Sequence, residues 1–170
     1  MSLVVDASVG LAWALPDESS AYADAVLGVV EQEDLRVPEL RAREIANGLA
    51  VAYLRKRITS TDEKAFLAAL SHLSIEVEAA SPLTVVRDGT AAAMRYGLTA
   101  YDAAYVDLAS RERLVLAVSG ADVSRVHRRT LSYPSSGRSY RAPPEWCSVS
   151  HPIGALQSYP TRPDGAALLE

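Results

Sequence analysis

Four short β-branched runs, Leu3–Val5, Leu35–Val37, Ile75–Val77 and Leu114–Val118, alternate with stretches of helical periodicity over the first 118 residues. Val9 to Leu15 reads as a short helix ended by Pro16. Ser19 to Val30 places Tyr22, Ala25, Val26, Val29 and Val30 on one side of a second helix. Pro38 opens a long helix to about Arg57, with Leu40, Glu44, Gly48 and Val51 along one stripe. Ser60-Thr61-Asp62-Glu63 has the pattern of a capping box for a helix through Leu73. Ser81-Pro82 starts another that Gly97 closes, and Thr99 to Arg113 is the last. Strands alternating with helices of this length imply an α/β fold, a three-layer α/β/α sandwich around a mostly parallel sheet. The strands at Leu3–Val5 and Leu114–Val118 are apolar on both faces and are expected at or near its centre.

This pattern stops at about Asp122. Six of the nine prolines fall in residues 134–170, among Ser, Gly and Arg, and no helical or strand period continues. The chain of 170 residues is therefore read as one domain, residues 1–123, followed by a poorly ordered tail, residues 124–170. The abrupt change in composition is also what a shifted reading frame near residue 120 would leave, which the nucleotide sequence read in all frames decides. No run approaches the roughly 18 apolar residues of a membrane span. No secretory signal opens the chain, so a cytoplasmic location is expected. Cys147 is the single cysteine, which excludes an intrachain disulfide and a cysteine-rich metal site. Residues 1–122 carry 11 Lys/Arg against 18 Asp/Glu, a net −7, while residues 123–170 carry six Arg against three acids, a net +3. An acidic body is not that of a simple electrostatic nucleic-acid binder. If a chain like this handles a phosphodiester, it needs cations to neutralise its own carboxylates.

Three acids stand in apolar or element-end settings. Asp6 lies at the C-terminal end of the first strand, the edge where open parallel sheets bind ligands. Capping of the following helix accounts for it equally well. Glu44 lies on the stripe with Leu40, Gly48 and Val51, where a carboxylate is costly unless paired or bound to a metal. An ion pair with Arg41 or Arg43, or a solvated helix face, is the plainer reading. Asp102 follows Thr99 by three residues, and taken alone it reads better as the acidic half of a capping box. Together the three would form a carboxylate cluster of the kind that hard divalent cations such as Mg²⁺ and Mn²⁺ prefer. His72, His127 and His151 are scattered, and no glycine-rich phosphate loop or Gly-x-Ser-x-Gly occurs.

The strings around these acids resemble a known family. Leu3-Val4-Val5-Asp6-Ala7-Ser8-Val9 resembles the opening motif of PIN domains. Val37-Pro38-Glu39-Leu40 through Glu44-Ile45-Ala46-Asn47-Gly48-Leu49 resembles their second motif, an acid with Asn three residues later. Tyr96-Gly97-Leu98-Thr99-Ala100-Tyr101-Asp102-Ala103-Ala104-Tyr105 resembles the third. Three motifs in order, over residues 1 to about 123, point to the VapC-type toxins in particular. The resemblance implies a metal-dependent endoribonuclease, with Asp6, Glu44 and Asp102 holding Mg²⁺ or Mn²⁺. It implies that Ser8 and Asn47 orient ligands or phosphate from behind, and that Thr99 fixes the helix carrying Asp102. It also implies an RNA substrate, a VapB-like antitoxin partner and a homodimer. An apolar groove near the helices at Ser19–Val30 and Leu40–Arg57 is expected to receive the antitoxin.

The chain departs from the family at its last motif. Gly120 stands where the fourth acid is aligned, and Asp122 lies two residues later as its candidate replacement. A second function class follows from that departure: a catalytically weakened PIN domain that binds antitoxin or RNA without cutting.

Overall fold

The computed structural model describes residues 2–119. Gly120, Asp122 and the tail expected over residues 124–170 lie outside the described residues. Four strands, β1 (Ser2–Val5), β2 (Asp34–Pro38), β3 (Ile75–Glu78) and β4 (Val115–Ala117), form one sheet in the order β3-β2-β1-β4. Every pairing is parallel, with Leu3 opposite Leu35 on one side and Val115 on the other. Six helices lie between them: α1 (Ala7–Ala12), α2 (Ala21–Val30), α3 (Leu40–Leu54), α4 (Ser60–Ser71), α5 (Pro82–Tyr96) and α6 (Ala100–Glu112).

Because side chains alternate along a strand, the sheet separates two cores. Leu3, Val5, Leu35, Val37 and Ala117 pack against Val9 and Ala12 of α1 and Ala23, Val26 and Val30 of α2. Val4, Leu116 and Val118 pack on the opposite face against Ile45, Leu49 and Ala52 of α3 and Tyr105, Val106, Leu108 and Ala109 of α6. The result is the expected α/β/α sandwich. β1 is interior to the sheet, whereas β4 is an edge of the four described strands. Its apolar faces are covered by helices, so burial on both sides counted layers rather than strand neighbours.

Helix starts follow local chemistry. Ser20 accepts from the Ala23 N–H, and Ser81 accepts from the Thr84 N–H ahead of Pro82. The capping box of α4 is set one residue before the expected one: Thr59 and Asp62 satisfy each other's backbone N–H groups. Pro38 belongs to β2 rather than to α3, which ends at Leu54. Beyond it, Arg57 ties the end of α3 to the loop after α1 through Asp17 and Glu18, both at 2.7 Å.

The approach of α1 to α3 fixes the site's geometry, because Asp6 precedes the first helix and Glu44 lies on the second. Gly48 allows it: a Cβ there would stand 2.5 Å from Leu11 Cδ1 and 3.1 Å from Leu11 Cγ. Overpacking opposes the gain in helix propensity that Gly48→Ala brings. The net expectation is a loss of about 1 kcal/mol in urea denaturation. A neutral or stabilised variant would show that the two helices are free to separate.

Candidate active site

Parallel strands all end at the same edge of the sheet, and the helices after β1 and β2 begin there. α6 begins there too, because it runs back along the sheet before β4. The edge thus gathers the N-terminal ends of α1, α3 and α6, and on them Asp6, Glu44 and Asp102. Asp6 continues the sheet, its N–H donating to Ala117 O at 2.9 Å. Its side chain is the N-cap of α1: Oδ1 accepts from Ser8 N at 2.8 Å and from Ser8 Oγ at 2.5 Å. The capping reading of Asp6 therefore holds, and it does not exhaust the residue. Asp6 is only 8% exposed, and its charge lies in the field of Asp102.

Glu44 is half-buried, and its Oε2 accepts the Tyr105 hydroxyl at 2.5 Å. It is neither a solvated residue nor one half of a contact ion pair among the described residues. Asp102, also half-buried, accepts the Thr99 hydroxyl at 2.8 Å and returns its own N–H to Thr99 at 3.1 Å. Thr99 is thus the helix cap. Asn47 is exposed one turn beyond Glu44. Each acid is turned towards a protein hydroxyl, and among the described residues no three acidic side chains meet closely enough to hold an ion. The expected close convergence on one ion is therefore not the arrangement in place. Mutual repulsion and the three hydroxyls account for this.

The acids nonetheless share one electrostatic environment. Burial is the main cause that raises the Asp6 pKa; the Asp102 charge adds to it, and the Ser8 hydrogen bonds and Arg41 oppose it. Burial likewise leads in raising Glu44, with the charges of Asp6 and Asp102 adding and the Tyr105 hydroxyl and Arg41 opposing. In donor chemistry the set suits a hard divalent cation, since it offers carboxylate oxygens whose negative charges are poorly compensated.

Two neighbours have roles that the sequence reading did not give them, Arg41 entering there only as an ion-pair partner of Glu44. Tyr105 is fully buried, and desolvation with its Glu44 bond pushes the phenol up, so it stays a neutral donor. Arg41 is 4% exposed; its Nε donates to Val5 O at 3.1 Å, and its Nη2 is buried without a partner. Spacing gave a usable signal: Arg41 precedes Glu44 by three and Tyr105 follows Asp102 by three, each pair on one helix face.

Of the two helices expected at a groove, α3 lines a cleft. This apolar cleft of about 590 Å³ lies between α3 and α4, lined by Ile45, Leu49, Tyr53, Leu67 and Leu70, with Glu39 and Glu63 among its polar residues. α2 cannot contribute because its apolar side is spent on the opposite face of the sheet.

No family model matches the chain. Ribonuclease VapC3 of Pyrobaculum aerophilum is 34% identical over 111 residues, 65% of this chain and 83% of the relative. The chain belongs to the VapC family of PIN-domain ribonucleases. The crystal structure of PAE2754 from the same organism is 25% identical and covers 78% of this chain and all of its own, with a TM-score of 0.48. No described helix is long and apolar enough to cross a membrane.

The raised acids have a thermodynamic consequence. Folded Asp6 and Glu44 bind protons more tightly than in the unfolded chain, whose reference values are 3.8 and 4.5. Between those values and the raised ones the folded state holds more protons, so their contribution to stability falls as pH rises. Asp6→Asn keeps a good N-cap but removes the charge. In the absence of metal, the melting temperature of Asp6→Asn relative to wild type should rise between about pH 4 and pH 7. A constant difference would mean that burying the Asp6 charge costs nothing.

Proposed function

We propose that the chain is a Mg²⁺- or Mn²⁺-dependent endoribonuclease, the toxin of a type II toxin–antitoxin pair, acting in the cytoplasm. The observation that carries this reading is the electrostatic coupling of Asp6, Glu44 and Asp102 at the C-terminal edge of a parallel sheet, with Asp6 and Glu44 desolvated, in a VapC family member. Asp6, Glu44 and Asp102 would hold the cation. When bound, it supplies Lewis acidity towards water and towards a phosphoryl oxygen of the RNA backbone.

The chain's own groups have separable tasks. The Ser8 hydroxyl and N–H fix the Asp6 carboxylate from behind. Tyr105, neutral because of its burial, fixes Glu44, and Thr99 holds Asp102. Such outer contacts keep ligand oxygens directed at one point. Asn47, exposed above Glu44, is assigned to the RNA phosphate. The expected results are complete loss of Mg²⁺-dependent RNA cleavage in Asp6→Asn with the fold retained, and a loss of about tenfold in Tyr105→Phe. Cleavage by Asp6→Asn at the wild-type rate would remove this residue from the chemistry.

Gly120 favours a second reading, a domain that binds without cutting. Asp122→Ala and Gly120→Asp, assayed beside wild type at fixed Mg²⁺, separate the two. Loss only in Asp122→Ala makes Asp122 the fourth acid; gain only in Gly120→Asp marks the natural site as weakened.

The cleft between α3 and α4 is the surface we assign to a VapB-like antitoxin. Its apolar lining suits an amphipathic segment, and Glu39 and Glu63 suit basic residues on it. Leu67, half exposed there, is the probe. Leu67→Glu should abolish co-purification with the antitoxin while RNA cleavage by the isolated toxin persists. Unimpaired capture would place the partner elsewhere.

A further inference from the structure

Arg41 is the buried group that the proposed chemistry leaves unused. A guanidinium is rarely buried without partners, and an unsatisfied buried donor costs stability, so its retention needs a compensating effect. Packing alone does not supply one. Its Nε holds the Val5 carbonyl at 3.1 Å, one residue before Asp6, but Nη2 has no acceptor. Among the described residues Arg41 makes no ion pair at contact distance, yet its charge acts on Asp6, Glu44 and Tyr105 together. Burial depresses its pKa, but an arginine remains charged. Space for it is provided by a neighbour: a Cβ on Gly10 would stand 2.6 Å from Nη2 and 3.0 Å from Ile45 Cδ1. Gly10 is one helical turn beyond Asp6, so the guanidinium occupies the room a side chain would take beneath the acidic edge.

We infer that Arg41 is a fixed internal cation of the carboxylate cluster, a positioning residue that limits the site to a single divalent ion. The inference rests on the metal-dependent reading above. Among the described residues, Asp6, Glu44 and Asp102 with one guanidinium leave two negative charges, which one divalent cation cancels. The backbone bond to Val5 keeps the guanidinium at a set distance from Asp6, so it cannot swing in to neutralise the carboxylate at contact and displace the ion. It repels a second cation instead. At an effective dielectric constant of about 20, a unit charge several ångströms away alters the affinity for a divalent ion by at least tenfold.

The test uses Mn²⁺ alone with the metal-stripped full chain, following bound ion by electron paramagnetic resonance and isothermal titration calorimetry. Wild type should bind one Mn²⁺ per chain. Arg41→Met should bind its first ion at least about tenfold more tightly, or take up a second. Arg41→Lys, keeping the charge, should keep the wild-type stoichiometry. A purely structural arginine would alter the melting temperature in these variants and leave the isotherm unchanged. Where Arg41→Met fails to fold, Arg41→Gln, which removes the charge but keeps polar atoms, should shift Mn²⁺ binding in the same direction. Two ions on wild type, or an isotherm that neither folded variant changes, overturns the role of Arg41 and leaves the metal site standing. A folded wild type that binds no Mn²⁺ overturns the metal-dependent reading itself, and the role of Arg41 with it.

Discussion

Much of the structure turns on one buried carboxylate. Asp6 ends β1, accepts two bonds from Ser8 to begin α1, and has its own N–H paired with β4 through Ala117. Sheet register, helix direction and the most desolvated charge of the site therefore meet in one residue. Capping a helix and presenting an oxygen to a ligand are not competing uses here. The cap fixes the carboxylate against the backbone, and a carboxylate has lone pairs to spare.

The remaining acids repeat this arrangement with different partners. Glu44 is steadied by a phenol and Asp102 by a threonine hydroxyl. Neutral donors suit such a site, because they direct oxygens without adding charge that a cation would have to displace. The cost is carried by the resting fold, which keeps poorly compensated negative charge at its edge. A local loss of stability of this kind is common where function requires an unfavourable arrangement.

The sequence disclosed what local forces decide. Ser81-Pro82 and Gly97 bounded α5, and Thr99 began α6, because caps act over three or four residues. Setting and motif order singled out Asp6, Glu44 and Asp102, and the fold carries all three to one edge of the sheet. Spacing set Arg41 beside Glu44 and Tyr105 beside Asp102, but their hydrogen-bond partners are remote: Arg41 bonds to Val5 and Tyr105 to Glu44 across 36 and 61 residues. The cleft was anticipated for its α3 wall but not for its α4 wall, for a related reason. Periodicity reveals that a helix has an apolar side but not which face of the sheet receives it, and α2 and α3 went to opposite faces. Likewise, the apolar character of β4 reported its covering layers and not its place in the strand order.

The space left by Gly10 has a consequence for how such a chain can change over time. Glycine at this position and arginine at position 41 occupy one volume between them. A lineage that gains a side chain at position 10 has to give up the guanidinium or push it out of place. One that shortens Arg41 leaves a hole that a larger residue at position 10 can fill. The two positions, 31 residues apart in the chain, are therefore sterically coupled, and a change at either is felt at the acidic edge.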